Sequence, residues 1–182
     1  MIQIRIHGRG GQGVVTAAEL IAIAAFFDDK QSQAFPSFGV ERTGAPIEAY
    51  ARIDNKPIRT REQVRRPNVL IIQDPTLLET VDVANGCDLT TKVIINSSKD
   101  KSKLKIKLPE KNIFVLDATK IALEELGRNI VNTVILGAFA KTTGLVSLPS
   151  LKQAIAQKFS GKSQEIANKN IKAIEQAYSH AF

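Results

Sequence analysis

The sequence predicts an α/β protein with three layers, α/β/α, around a mostly parallel sheet that has a mixed edge and a Rossmann-like glycine loop after its first strand. Three observations predict this class. Apolar runs of strand length alternate with helical stretches. Four glycines in six residues follow the first strand directly, and later strands end in polar residues. With 182 residues, 43% of them hydrophobic, we expect one domain over residues 1–182.

The first two elements follow from apolar spacing. Ile2, Ile4 and Ile6 alternate with polar residues, a period of two that favours a strand with one buried face. From Val14 onward the chain carries a long alanine-rich apolar stretch, which is typical of a buried helix. We therefore expect a strand, a glycine loop and a helix that ends near Phe27.

A mixed edge is predicted between residues 31 and 58. Residues 31–35 are predicted as a short second strand, and residues 47–53 alternate apolar and polar side chains as a third. Between them, residues 36–46 contain two prolines and two glycines, which predicts an ordered or ligand-dependent loop. An Asp-Asn turn then leads into a return at 56–58, so we expect a hairpin there.

The remaining elements alternate strands with helices. Apolar runs at 69–73, 92–96 and 112–117 have strand length and end in a polar residue, which favours central parallel strands. Helices are predicted at 76–81, 118–126, 133–142, 147 to about 159, and 163–178. Gly127 and Gly144 are expected to end two of them, Asn132 to cap helix 133–142, and Ser147 with Pro149 to begin the next.

Composition limits the function classes. The net charge of +7 invites a nucleic-acid interpretation, but the densest basic run, at 99–107, contains no aromatic residue that could stack on a base. We expect that run to be a solvated loop and edge strand, with no nucleic-acid partner. No apolar run approaches the roughly 20 residues of a membrane span, so we expect no membrane contact and a cytoplasmic location. The single cysteine, Cys87, excludes an internal disulfide and an iron–sulfur cluster held by this chain alone.

The glycine stretch is the strongest candidate binding site. Residues 8–13 satisfy the dinucleotide pattern G-x-G-x-x-G between a strand and a helix. A carboxylate for the ribose is expected at the end of the second strand, but that strand ends Ala-Phe-Pro, and no Lys-Ser/Thr pair follows the glycines as in a P-loop. What remains is an anion-binding turn at a helix N-terminus, to which Arg9 adds charge and Gln12 an amide. The alternative is that the glycines only allow close strand-to-helix packing.

Catalytic side chains are not predicted. His7 is expected to be a hydrogen-bonded residue at the strand end, and no set of His, Cys and carboxylate can be assembled around it. Asp74, Asn96 and Asp117 follow strands, where ligands of open α/β sheets bind, but helix capping is the favoured role. We therefore predict neither a catalytic residue nor a metal site in this chain.

Two stretches together carry a resemblance to a known family. Residues 7–13 read His-Gly-Arg-Gly-Gly-Gln-Gly, and residues 33–46 read Gln-Ala-Phe-Pro-Ser-Phe-Gly-Val-Glu-Arg-Thr-Gly-Ala-Pro. Further matching stretches follow in order at 54–59, 74–78, 117–119 and 132–138. Over nearly its full length the sequence resembles the gamma subunit of pyruvate:ferredoxin oxidoreductase and its 2-oxoacid relatives.

The resemblance implies a subunit of an enzyme that oxidatively decarboxylates pyruvate, or a related 2-oxoacid, with coenzyme A to acyl-CoA and CO2 and reduces ferredoxin. The form of residues 36–42 fits pyruvate or branched-chain enzymes better than the 2-oxoglutarate type. Thiamine diphosphate, magnesium and [4Fe–4S] clusters would lie in alpha, beta and delta partner subunits, and this chain would be a helper without its own redox centre. The alternative is a stand-alone oxidoreductase domain of the nucleotide-binding NAD type.

Two sites follow from the resemblance. The first would face phosphate groups of coenzyme A or a subunit interface, and it consists of Gly8, Arg9, Gly10, Gly11, Gln12 and Gly13. The second is a docking loop for the thiamine-bearing subunits, and it consists of Phe35, Pro36, Ser37, Phe38, Gly39, Glu41, Arg42, Thr43 and Gly44.

Overall fold

The computed structural model describes residues 1–37, 42–161 and 164–181, and a six-stranded sheet with the order β2-β3-β1-β4-β5-β6 lies at its centre. The strands are β1 Ile2–Arg9, β2 Gln31–Pro36, β3 Pro46–Asp54, β4 Val69–Ile72, β5 Lys92–Asn96 and β6 Ile113–Leu116. The helices are α1 Val14–Phe27, α2 Leu77–Thr80, α3 Ala118–Leu126, α4 Val131–Thr143, α5 Leu148–Lys158 and α6 Gln164–His180. The start predicted for the last helix, at 163, lies outside the described residues.

The sheet is mostly parallel with a mixed edge, as predicted. β1, β4, β5 and β6 run parallel to one another, whereas β3 runs antiparallel to its neighbours β1 and β2. The return strand predicted at 56–58 is wrong, because these residues form no strand. Pro57 has no N–H group to donate to a neighbouring strand. β3 finds its hydrogen-bond partners in β1 and β2 instead.

The long helices cover one face of the sheet. α1 packs on β1, β2 and β3, α4 packs on β5 and β6, and α5 and α6 pack against these two helices. α4 and α6 approach closely, since a Cβ atom added to Gly137 would lie 2.3 Å from the carbonyl oxygen of Ile174. No helix in the described part of the chain has the length and apolar character needed to cross a bilayer.

The opposite face is covered by α2 and by irregular segments. Under β4 and β5 it is apolar, and Leu70, Ile72 and Val93 pack there against Leu77 of α2. Under β1 and β3 it is polar: Arg5, His7, Tyr50 and Arg52 lie on it and are all buried. On this face of the sheet, the half under β4 and β5 is therefore an apolar core, and the half under β1 and β3 is a buried polar layer.

Helix ends mostly follow the predicted signals. Gly127 and Gly144 lie in the left-handed region at the ends of α3 and α4, with φ angles of 69° and 63°. The side chains of Asp117 and Ser147 accept backbone N–H groups at the starts of α3 and α5. These residues delimit the start of α3 and α5 and the end of α3 and α4.

Two local predictions are wrong. Asn132 does not cap α4, because the helix begins at Val131 and Asn132 therefore lies inside it. The Asn132 side chain donates to the carbonyl of Gly13 instead. Residues 99–107 form no edge strand, and the edge of the sheet on this side is β6. The side chain of Asp100 accepts the N–H of Ser102 at 2.9 Å, which closes a turn where a strand would need extended backbone.

Candidate functional site

The glycine stretch begins inside β1. Gly8 and Arg9 pair with Ile47 and Pro46 of β3, so the strand continues beyond its apolar alternation. The turn itself consists of residues 10–13, and Gly13, with a φ of 70°, lies in the left-handed region directly before α1. α1 has no side-chain cap and no acidic residue in its first turn. In the part of the chain that the structure describes, no side chain therefore caps the first N–H groups of α1.

Arg9 and Gln12 both bind Asp74, which follows β4. Arg9 Nε lies 3.2 Å from Asp74 Oδ2, and Gln12 Nε2 donates to the same oxygen at 2.9 Å. Gln12 Oε1 also accepts the N–H of Arg9 at 2.8 Å. Thr76 donates to Asp74 Oδ1 through its N–H at 3.0 Å and through its hydroxyl at 2.6 Å. Asp74 is thus a common acceptor that fixes the turn against the end of β4.

The ionised state of Asp74 is favoured by these contacts. Burial opposes ionisation, but the hydrogen bonds from Thr76 and Gln12, together with the charge of Arg9, outweigh it and hold the pKa of Asp74 below its ordinary value. The charge of Arg9 is therefore directed at a carboxylate of the same chain. The helix cap predicted for Asp74 is wrong, because Thr76 holds the N-cap position of α2 and the helix has no side-chain cap; Asp74 binds the glycine turn and Thr76 instead.

The two stretches singled out in the sequence are in contact with each other. Gly10 donates its N–H to the carbonyl of Ala45 at 2.9 Å and accepts the N–H of Gly44 at 3.0 Å. Arg9 donates from its guanidinium to the carbonyl of Gly44 at 3.0 Å. A Cβ atom on Gly10 would lie 2.2 Å from the carbonyl oxygen of Arg42, so only glycine allows this approach. The glycine turn therefore packs directly against residues 42–45 at the end of the docking loop.

The remaining docking-loop residues divide into two groups. Phe35 and Pro36 belong to β2, and Ser37 donates its N–H to the carbonyl of Glu48 in β3. Phe38, Gly39 and Glu41 lie outside the described residues. The first part of the predicted docking loop is thus an extension of the sheet edge.

A crevice of about 240 Å³ lies where α1 and α4 begin. α4, like α1, starts without a side-chain cap or an acidic residue in its first turn. Gln73 is 1% exposed, and among the described residues neither polar atom of its side chain has a hydrogen-bond partner; the same holds for Oδ1 of Asn132. Two uncapped helix starts and unpartnered buried amides favour a polar or anionic group bound in this crevice.

A larger groove of about 710 Å³ adjoins the crevice, and both are lined by Pro75, Asn96 and Thr119. Its basic side chains are Lys99, Lys103, Lys105 and Lys120. Its acidic side chains are Glu79, Asp117 and Glu124, and Glu124 pairs with Lys120 at 4.0 Å. The groove thus has positively charged side chains next to the crevice where α1 and α4 begin.

His7 differs from its prediction. Its side chain is 3% exposed, Nδ1 lies 3.6 Å from Glu48 Oε1, and Nε2 has no partner among the described residues. A separation of 3.6 Å is longer than a hydrogen bond, so a side-chain hydrogen bond of His7 stays a prediction. Its predicted place at the strand end is wrong, because β1 continues to Arg9. Burial lowers the pKa of His7 to about 4, which Glu48 opposes and Arg5 reinforces. His7 is therefore a neutral buried side chain at neutral pH.

Sequence reasoning missed Gln73, Asn132 and the groove lysines as binding candidates. Gln73 directly follows β4, and Lys99 lies three positions after β5, so both occupy the edge of the sheet where ligands of open α/β sheets bind. That positional signal could have identified them. Asn132 carried no such signal, because its contact with Gly13 joins residues 119 positions apart.

Comparisons with known proteins match the whole chain. The family model described as pyruvate ferredoxin/flavodoxin oxidoreductase matches residues 3–180. The pyruvate/ketoisovalerate oxidoreductases common subunit gamma of Pyrococcus furiosus is 52% identical over 180 residues, covering 98% of this chain and 96% of that protein. The pyruvate synthase subunit PorC of Methanocaldococcus jannaschii is 52% identical over 179 residues, with coverage of 98% and 96%.

A solved structure agrees with the fold. The crystal structure of pyruvate oxidoreductase subunit PORC from Thermotoga maritima superposes with a TM-score of 0.84 at 35% sequence identity. The match covers 100% of this chain and 97% of that one. Fold and sequence therefore give the same group of relatives.

Proposed function

The chain belongs to the pyruvate ferredoxin/flavodoxin oxidoreductase family, and we propose that it acts as a gamma-type helper subunit in an enzyme assembly of that family. In this assembly pyruvate, or a related 2-oxoacid, is oxidatively decarboxylated with coenzyme A to acyl-CoA and CO2 while ferredoxin is reduced. Near-complete coverage of the relatives supports the subunit role. We propose that residues 1–182 act as one domain, because one core cluster contains side chains from Ile4 of β1 to Ala181.

The cofactors are assigned to partner subunits. Thiamine diphosphate, magnesium and [4Fe–4S] clusters would lie in the alpha, beta and delta subunits, and ferredoxin would meet the assembly there. The one cysteine of this chain supports the assignment, because a [4Fe–4S] cluster is held by four thiolates. We also propose a cytoplasmic location, where coenzyme A and ferredoxin are found. The stand-alone NAD-type alternative is not favoured, because the relatives are named as oxidoreductase subunits.

Coenzyme A is the ligand proposed for the crevice and groove. The observation that carries this assignment is the meeting of two uncapped helix starts, α1 and α4, at one crevice beside the unpartnered amide of Gln73. Coenzyme A carries a diphosphate and a separate phosphate, and helix N-termini and lysines both bind such groups. Residues 10–13 would then face phosphate, whereas Arg9 would hold the turn in place through Asp74.

The docking loop is proposed to contact the thiamine-bearing subunits. Gly44 of this loop and the adjacent Ala45 hydrogen-bond to Gly10 in the glycine turn, so a partner bound to this loop would lie beside the coenzyme A crevice. Such an arrangement fits a helper subunit that presents coenzyme A to chemistry carried out elsewhere. The proposal places no catalytic group in this chain.

The subunit role is tested by isolating the chain from its native cell. A tagged chain is expected to co-purify with larger subunits that contain thiamine diphosphate and iron. A chain that migrates alone at its own mass of 19.9 kDa would contradict the assembly.

The coenzyme A site is tested with the double substitution Lys103→Ala and Lys105→Ala in the assembled enzyme. Both side chains are exposed, so folding should not change. We expect the KM for coenzyme A to rise about fivefold, since two exposed charge contacts are together worth about 1 kcal/mol, while the KM for the 2-oxoacid stays constant. The matched control is Lys107→Ala with Lys111→Ala, which are exposed and outside the groove. Equal effects of the two pairs would contradict the site.

A further inference from the structure

Four exposed arginines lie along the irregular segment 59–66, which covers the polar face of β1 and β3. We call this set the arginine strip; it consists of Arg59, Arg61, Arg65 and Arg66. Among residues 1–37, 42–161 and 164–181, no carboxylate lies within 4.0 Å of any of these guanidinium groups. The strip therefore presents several uncompensated positive charges on one surface.

A cavity of about 410 Å³ opens between the arginine strip and the sheet. Arg5, Arg65 and Arg66 line it, and among the described residues Glu48 is the single acidic side chain that does so. The hydroxyl of Tyr50, another lining residue, donates to Glu48 at 2.7 Å. Three cations face one carboxylate that is already engaged, so the cavity favours a negatively charged group.

Arg5 forms the floor of this positive region. It is 6% exposed, and its guanidinium donates to the carbonyls of Val64, Val83 and Asn85 at 3.3, 2.9 and 2.6 Å. No carboxylate among the described residues pairs with it. A buried cation compensated only by carbonyl dipoles is stabilised further when a negative group approaches. Its hydrogen bonds to these three carbonyls hold it in that position.

The segment 59–66, which carries the arginine strip, is also fixed to the start of the docking loop. Gln63 Nε2 donates to Ser37 Oγ at 3.2 Å, and Arg52 donates to the carbonyl of Glu62. The Arg52 guanidinium lies 4.9 Å from the centre of the Phe35 ring in β2. The strip and the docking loop therefore form a continuous surface on the antiparallel edge of the sheet.

We infer that the arginine strip and its cavity bind an acidic segment of another subunit of the same assembly, with one carboxylate side chain entering the cavity. This inference rests on the proposed function. Charge complementarity supports it, as does continuity with the docking loop. A nucleic acid is the poorer occupant, because the aromatic residue that lines the cavity, Tyr50, is 2% exposed and cannot stack on a base.

The test uses the assembly reconstituted from its purified subunits. Arg65→Glu with Arg66→Glu reverses two exposed charges, and Lys107→Glu with Lys111→Glu makes the same charge change on a distant surface. We expect the arginine pair to raise the dissociation constant of this chain from its partners about tenfold at low salt, with a smaller difference at high salt. The neutral pair Arg65→Gln and Arg66→Gln should give a smaller effect in the same direction. Unchanged melting temperatures establish that the variants fold.

Several results would overturn the inference. Unchanged assembly of the arginine variants, or an equal loss in the lysine control, would show that the strip binds no acidic partner. Salt-dependent RNA binding that depends on the strip, without an effect on assembly, would assign the surface to nucleic acid instead. Failure of the unmodified chain to assemble would contradict the proposed function itself, which separates the two conclusions.

Discussion

Replacing Gly10 with alanine should separate the glycine turn from the docking loop. The added Cβ would lie 2.2 Å from the carbonyl oxygen of Arg42, well inside the 3.0 Å below which Cβ atoms essentially never approach a neighbour. Gly10 is not among the glycines with positive φ, so this clash is the main effect of the substitution. Relief of the clash requires the 42–45 segment to move, which weakens the hydrogen bond from the N–H of Gly44 to Gly10 and the one from the N–H of Gly10 to Ala45.

The expected loss combines these two contributions. Overpacking of a closely packed site costs about 1–3 kcal/mol, and two weakened backbone hydrogen bonds add about 1 kcal/mol. We therefore expect the free energy of unfolding to fall by about 2–4 kcal/mol. The same movement should open the coenzyme A crevice and raise the KM for coenzyme A in the assembled enzyme.

Chemical denaturation of the purified chain measures this loss, with Gly127→Ala as the control. Gly127 has a φ of 69° and no atom within 4 Å of an added Cβ, so its substitution reports only the cost of a left-handed residue, about 1 kcal/mol. Gly10→Ala carries no left-handed cost, so any loss beyond that of Gly127→Ala comes from the contact with Arg42. If Gly10→Ala is no more destabilising than Gly127→Ala, the turn and the docking loop are not packed as described.

Two further predictions concern buried groups. Burial lowers the pKa of His7 from 6.5 to about 4, so between these two pH values the unfolded chain binds one more proton than the folded chain. The free energy of unfolding should therefore decrease by about 3 kcal/mol as the pH falls from 6.5 to about 4. His7→Gln should flatten this dependence in pH-resolved denaturation, whereas the exposed-residue variant His180→Gln should keep it. Gly137→Ala should cost about 3 kcal/mol in thermal unfolding, because α4 and α6 must separate, and Gly161→Ala, where nothing lies within 4 Å, is the control. A Gly137→Ala melting temperature equal to that of the control would refute the close packing.

Much of the fold could be predicted because its signals are local. β5 and α3 match their predicted bounds, since a short continuous apolar run favours a buried strand and a side-chain cap with a terminal glycine delimits a helix. β4 and β6 were predicted within one or two residues for the same reason. The mixed edge was predicted from alternation in residues 47–53, although the pairing of β3 with β1 and β2 was not predicted.

The errors arise where the decisive contact is distant in sequence. Gly8 and Arg9 belong to β1 only because β3 pairs with them, which no pattern within residues 1–13 could indicate. Arg9 looked like an anion ligand, but Asp74, 65 positions later, pairs with its charge. Lys103 and Lys105 are exposed, as predicted, but their place in the groove beside the crevice could not be predicted, because it depends on how the chain continues after β5.

β1 connects the two surfaces proposed here. Its residue Arg5 faces the cavity beneath the arginine strip, and its carboxyl end leads into the glycine turn at the coenzyme A crevice. β3 pairs with β1 along its full length, from Ile2 to Arg9, and also leads out of the docking loop. A partner bound to the antiparallel edge would therefore restrain β3, and β3 restrains the strand that positions the glycine turn. Because these backbone pairs connect the two surfaces, we expect coenzyme A binding at the proposed crevice to depend on assembly.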